Sequence, residues 1–200
     1  KQFRLLMPTE ITLPGEPQPR YIAPGTRSYN PTTLPWLSIG YNIQLTPLQL
    51  LTFYNAIANN GIWVPPRIVD KIRYPGGEEE VPSLAPPQRI MSAETALLLR
   101  QMMQAVVQEG TARSILTPLY TIAGKTGTAK KVEKGSYVNR YRASFVGFFP
   151  AERPLYSCIV VIDDPQMGGS HGGEVAAPVF REIADAVVFR DPRIAPKEPP

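Results

Sequence analysis

Cysteine and histidine are almost missing from this sequence, with Cys158 and His171 the single residues of each kind. One thiol cannot close an internal disulfide, and a lone imidazole cannot pair with a second to seed a zinc site. Long apolar runs are missing too. The densest, Cys158 to Ile162, is only strand length, so no segment reads as a membrane span. A basic stripe interleaved with aromatics is equally absent. The net charge of +4 is spread along the chain, and the tightest group, Lys125, Lys130, Lys131 and Lys134, sits among glycine and threonine. That argues against nucleic acid as a partner. The chain opens on KQFRLLMP without a start methionine or a charged-then-apolar leader, which predicts a cut through a larger protein.

What the chain has in excess is proline, 23 of 200 residues, about twice the usual share of ~5 %. Most lie between Pro8 and Pro87, and none lies from Gln88 to Thr117. Proline breaks helix interiors and donates nothing to a sheet ladder, so the first part is expected to be extended and loop-rich. With 43 % hydrophobic and 19 % charged residues the chain can still build a core.

Thr46-Pro47 before LQLLTFYNAIANNG predicts a capped helix stopped by Gly61, with Leu48, Leu51, Tyr54, Ile57 and Ala58 on its buried face. Ile62 to Tyr74, broken by Pro65-Pro66, reads as an edge strand, followed by an exposed loop to Gln88. The proline-free window predicts the longest helix, from a Ser92 cap to Gly110, with Met102 and Met103 as core filler. Three β-rich runs follow: Leu119 to Lys131, Tyr141 to Phe149 and Leu155 to Asp163. Turns at Lys134–Ser136 and Pro150–Pro154 separate them, which predicts an antiparallel meander. A closing helix is expected from about Glu174 to Phe189, and a mobile proline-rich tail over 191–200. Cys158, inside an apolar strand, reads as an inert buried thiol.

The chemistry concentrates in AGKTGTAKK, residues 123–131. A phosphate loop needs glycine five residues before Gly124, where Leu119 stands, and a helix after the lysine, where the pattern is extended. The alternative is a K-T-G triad on a strand lining an acyl-transfer site. On a regular pleat Lys125 and Gly127 share one face, and Thr126 and Thr128 the other. Lys125 supplies a cation, the threonine hydroxyls can donate to a carboxylate, and Gly127 clears space for a peptide along the edge.

Around that triad the sequence resembles a known family along most of its length. FRLLMPTEITLPGE, SIGYNIQLTPLQLLTFYNAIANNGIWVPPRIV, EGTAR, AGKTGTAKK, RASFVGFFPAERPLY and GGEVAAPVFREIA stand in order from residue 3 to residue 184. They are similar to the C-terminal part of the transpeptidase domain of class B penicillin-binding proteins of the septal, cell-division type. The resemblance implies an α+β fold, an antiparallel sheet flanked by helices as in part of the serine β-lactamase and penicillin-binding-protein fold. Residues 1–190 would be the fragment of that domain. It further implies a peptidoglycan D,D-transpeptidase acting through a serine acyl-enzyme, without a cofactor or metal. Stem peptides ending in D-Ala-D-Ala would be substrates, β-lactams inhibitors, and cell-division membrane proteins partners of a parent anchored in the cytoplasmic membrane with this part outside.

The family uses S-x-x-K, S-x-N and K-T-G. No serine here has lysine three residues on, and Ser28-Tyr29-Asn30 spells S-x-N only in the wrong place in the order. The nucleophile is therefore expected outside this chain, which would be inactive alone. By the resemblance Lys125 would contact the S-x-N serine, and Thr126 and Thr128 would bind the carboxylate. The Thr128 N–H would face the oxyanion. Lys125 and Thr128 are the catalytic candidates, with Thr126, Gly127, Thr128 and His171 for substrate binding. Ser170 and His171 replace an aromatic pair frequent in division-type relatives, so His171 reads as a solvated loop residue or a pocket wall. A β-lactam sensor or a pseudo-transpeptidase is the alternative reading.

Overall fold

A computed structural model describes residues 2–194. The proline-rich front is loop, as expected, but it is tied down by polar anchors. It contains β1 (Arg20–Tyr21), the short helix α1 (Thr33–Ser38) and β2 (Ile43–Gln44), which pairs with β1. Helix α2 (Pro47–Ala58) starts at a reciprocal box: Thr46 Oγ1 accepts from Gln49 N–H at 3.1 Å, and Gln49 Oε1 accepts from Thr46 N–H at 2.8 Å. The same Gln49 is buried and donates through Nε2 to the Pro17 carbonyl at 3.2 Å. Glu16, beside it, accepts from Thr9 N–H at 2.9 Å. The most deeply buried seam of α2 therefore includes Gln49 and Thr52 with Ala56 and Ile57, while Leu48, Leu51 and Tyr54 are half-buried. Apolar periodicity found Ile57 and the partly buried Tyr54 and Ala58 but missed Gln49 and Thr52, because the front loop needs hydrogen bonds from the helix, not only apolar contact. Arg4 adds a second clamp, its guanidinium 3.9 Å from the Trp63 ring centroid.

Ile62 to Tyr74 is not one edge strand. It splits into β3 (Ile62–Trp63) and β4 (Ile72–Arg73), and the diproline separates them. Strand β4 pairs with β5 (Glu79–Glu80) across the Pro75–Gly77 turn, and β3 pairs with the distant β6 (Gln88–Arg89). Helix α3 (Ala93–Gln108) is capped by Ser92 Oγ, which accepts from Thr95 N–H at 3.0 Å. Ala96, Met103 and Val107 are buried, but Leu98 and Met102 are 55 % and 67 % exposed. Met102 is thus no core filler among the described residues. Leu99 and Val106 are half-buried.

The meander is present. Strands β7 (Ala123–Glu133), β8 (Ser136–Phe149) and β9 (Tyr156–Asp163) form an antiparallel sheet in that order. Lys134 and Gly135 both take positive φ, 52° and 81°, between the paired Glu133 and Ser136. That is the two-residue turn whose twist matches the strands it joins. Helix α4 (Gly172–Val188) covers one face of the sheet, with Phe180 edge-on to Phe145 at 4.8 Å. Helices α2 and α3 cover the other, packing Ala56, Ala96 and Met103 against Ala123 and Phe148. Phe145, Phe148 and Phe180 are fully buried, each contributing on the order of 1.5–3 kcal/mol. The architecture is α+β, an antiparallel sheet between helices. Cys158 on β9 is half-buried, and burial pushes its thiol up, away from the reactive thiolate.

Of the expected tail, 195–200 lie outside the described residues. Residues 191–194 pack on the fold: Asp191 accepts from Tyr156 Oη at 2.5 Å, and Ile194 is buried. Among the described residues no helix is long and apolar enough to cross a membrane.

Candidate active site

Strand β7 is an edge. Among the described residues its only strand partner is β8, so one row of its backbone groups has no strand partner along residues 123–133. The register pairs Lys125 with Val146, Thr126 with Phe145, Gly127 with Ser144 and Thr128 with Ala143. Phe145 belongs to the α4 side, so Thr126 and Thr128 face α4, and Lys125 and Gly127 face the α2–α3 side. The alternation expected from the pleat holds.

Each hydroxyl on the α4 side has a defined neighbour. Thr126 Oγ1 lies 2.8 Å from Thr111 Oγ1, and Thr128 Oγ1 accepts from the Gly172 N–H at 3.1 Å. A hydroxyl that accepts from a backbone amide keeps its own proton to donate outward. Lys125 is exposed, and its Nζ donates to the Thr126 carbonyl of its own strand at 2.8 Å.

Two glycines, Gly172 and Gly173, allow the N-terminus of α4 to reach the strand. A Cβ at Gly172 would stand 2.6 Å from the Gly127 carbonyl and closer still to that of Ser144. One at Gly173 would overlap the Thr111 carbonyl, and one at Gly127 would stand 2.5 Å from Ser144 Oγ. The Gly127 contact is with a hydroxyl that can rotate aside, whereas those at Gly172 and Gly173 are with backbone carbonyls. Ser114 Oγ donates to the Gly173 carbonyl at 3.1 Å and closes the ring of contacts.

His171 precedes Gly172, so the fold brings it next to Thr128, far away in sequence. Its backbone opens α4, and its largely exposed ring holds Nδ1 3.2 Å from Glu174 Oε2. The same carboxylate oxygen accepts from the Ser170 and His171 N–H groups, each at 3.1 Å. These bonds, first that from the His171 amide, hold the Glu174 carboxyl below its ordinary range. Because the folded pKa is depressed, the stabilisation is present above the unfolded value and lost as pH falls through the folded one. The Ser170 and His171 amide resonances are therefore expected to titrate with a midpoint below the unperturbed ~4.3 of glutamate. Glu174→Gln removes that transition. A midpoint at or above 4.3 would contradict the pairing.

Reading residues alone missed Thr111, Ser114 and Glu174. Thr111 lies in EGTAR just after the α3 stop, and Glu174 stands three residues after His171, at the third helical position. Only the second carries a local signal. Among the described residues no cluster of His, Cys, Asp or Glu could hold a metal.

Comparisons with known proteins bear on the family and the fold. The family model "Penicillin binding protein transpeptidase domain" matches residues 1–185. Penicillin-binding protein PbpB of Mycobacterium tuberculosis is 34 % identical over 202 residues, 96 % of this chain and 30 % of that protein. Peptidoglycan D,D-transpeptidase FtsI of Escherichia coli is 34 % identical over 190 residues, 94 % of this chain and 30 % of its own. The crystal structure of penicillin-binding protein 3 from M. tuberculosis complexed with ampicillin superposes with a TM-score of 0.87. Its identity is 33 %, over 99 % of this chain and 46 % of that one. The chain thus spans about 30 % of the length of these curated relatives.

Proposed function

Because the chain belongs to the penicillin-binding protein transpeptidase family, we propose that it supplies the K-T-G wall of a septal-type peptidoglycan D,D-transpeptidase. The observation that carries this reading is the Lys125–Thr128 run on an open sheet edge, with the α4 N-terminus seated against it.

The reaction then runs as acyl transfer. A serine contributed from outside these 200 residues attacks the carbonyl of the penultimate D-Ala, forming a tetrahedral oxyanion. The Thr128 N–H faces that charge, and the hydroxyls of Thr126 and Thr128 hold the terminal carboxylate. The proton that Thr128 keeps free by accepting from Gly172 is the one it offers. Lys125 swings from the Thr126 carbonyl to the S-x-N serine and stabilises the proton relay. Collapse of the oxyanion expels D-Ala and leaves an ester. The amine of a neighbouring stem peptide then attacks the ester, forming the cross-link and freeing the serine. A β-lactam follows the first half, but its leaving amine stays tethered and the ester persists. The parent would be membrane-anchored, work beside cell-division proteins, and hold this part outside the cytoplasmic membrane.

Labelling with a fluorescent penicillin tests the reading. The full-length protein that carries this chain is expected to show a covalent band that survives denaturation, and residues 1–200 alone none. A covalent adduct on the isolated chain would place the nucleophile inside it. A full-length protein that labels but transfers no peptide would favour the sensor reading.

A further inference from the structure

Beyond Thr128 the edge strand runs into a cleft of about 690 Å³, within the range of small-molecule sites. Its walls come from distant parts of the chain: the β1–β2 ribbon on one side and the far end of β7 and β8 on the other. The rings of Tyr41 and Tyr137 meet across it with centroids 6.0 Å apart and join the two walls. Four cations line the cleft, Arg20, Lys130, Lys131 and Arg142, and no carboxylate does. Lys131 and Arg142 share Asp163, each at 3.0 Å. Arg20 and Lys130 have no acidic partner among the described residues, and both are exposed. Lys130 Nζ lies 5.8 Å from the centroid of the Tyr141 ring, and two cations without an acidic partner beside tyrosine rings form a surface for an anion on a chain with some apolar body.

The direction of the strand says which part of a ligand arrives there. With the terminal carboxylate at Thr126 and the reacting carbonyl at the Thr128 N–H, the acyl side of the peptide runs on toward Lys130. Two residues of strand cover about 7 Å. Lys130 pairs with Tyr141 before the β-bulge, so it stands on the same face as Thr126 and Thr128.

We propose that this cleft is a second anion subsite. It takes a carboxylate borne by the acyl side of the peptide, two residues before the D-Ala whose carbonyl reacts, with Arg20 and Lys130 as its ligands. This deepens the transpeptidase reading and rests on it for the direction of the chain. An acidic peptide there gains Coulomb attraction that an amidated one lacks, and the gain is screened by salt.

The test is fluorescence anisotropy of the full-length protein with two peptides bearing a net-neutral rhodamine at the N-terminus. They are Glu-Ala-D-Ala-D-Ala and its Gln counterpart. The Glu peptide is expected to bind at least fivefold more tightly in 50 mM salt and within twofold in 500 mM. In Arg20→Gln/Lys130→Gln the low-salt preference is expected to fall within twofold, with the rate of penicillin labelling altered less than twofold. Equal binding of the two peptides to the wild-type protein overturns the proposal, as does a preference that survives the double substitution. Loss of penicillin labelling in the wild-type protein, with the Glu preference intact, would instead remove the transpeptidase reading and leave the anion subsite standing.

Discussion

Gly172→Ala is expected to cost the full-length protein about 2–3 kcal/mol of stability and at least tenfold in its rate of acylation by penicillin. Two effects oppose each other. Alanine is the better helix former by roughly 1 kcal/mol in an interior, and less at the first helical position. Against that, its methyl would stand 2.6 Å from the Gly127 carbonyl and overlap the Ser144 carbonyl. Both are backbone oxygens in a paired β7–β8 register, so neither can move aside as a flexible side chain would. Overpacking of this kind costs about 1–3 kcal/mol, and here it outweighs the helix gain. The α4 N-terminus must lift, and the Gly172 N–H leaves Thr128 Oγ1. At this size of domain a loss of 2–3 kcal/mol lowers the melting temperature by about 4–12 °C. Gly76→Ala is the control, because its φ is not positive and no atom lies within 4 Å of the added carbon. If Gly172→Ala melts and acylates like Gly76→Ala, the seating of α4 on β7 is not what shapes the site.

The features legible in the sequence were those written in neighbouring residues. Thr46-Pro47 and Ser92 announced two helix starts, and Lys134-Gly135 announced the hairpin that joins β7 to β8. Pleat arithmetic placed Lys125 and Thr126 on opposite faces, and the register agrees. What could not be read depends on distant partners. Periodicity reports which side of α3 is apolar, not which side is covered, so Met102 was misplaced. Gln49 is buried because Pro17 and Glu16 come back to it from over thirty residues away. Strand β3 finds β6 across a long loop that carries no pairing signal. The closing helix expected over Glu174 to Phe189 is present as α4 although Pro178 lies inside it, where fully buried Ala176, Ala177 and Phe180 hold the helix on the sheet. The site divides in the same way. Lys125 to Thr128 stood out as a motif, whereas the carbonyl contacts that make Gly172 and Gly173 necessary appear only once α4 is docked.

Lys125→Ala is expected to lower the second-order rate of penicillin acylation of the full-length protein by about a thousandfold. This is the sharper test of the chemistry, because it separates function from folding. Lys125 is exposed, and among the described residues its ammonium bonds only to the Thr126 carbonyl of its own strand. Removing an exposed side chain of this kind leaves the melting temperature nearly unchanged, since no packing and no buried charge is lost. Its part in the reaction is of another order. A cation or donor aimed at charge that develops in the transition state is typically worth 10²–10³ in rate. A thousandfold is about 4 kcal/mol. The upper end is expected because Lys125 both organises the relay serine and adds positive charge near the ligand carboxylate. Lys125→Arg should recover part of the loss, since it restores the charge but not the compact ammonium geometry. Acylation undiminished in Lys125→Ala, with folding intact, would sink the assignment of β7 as the catalytic wall. The converse, a thousandfold loss at an unchanged melting temperature, is what a residue touching the reacting groups must produce.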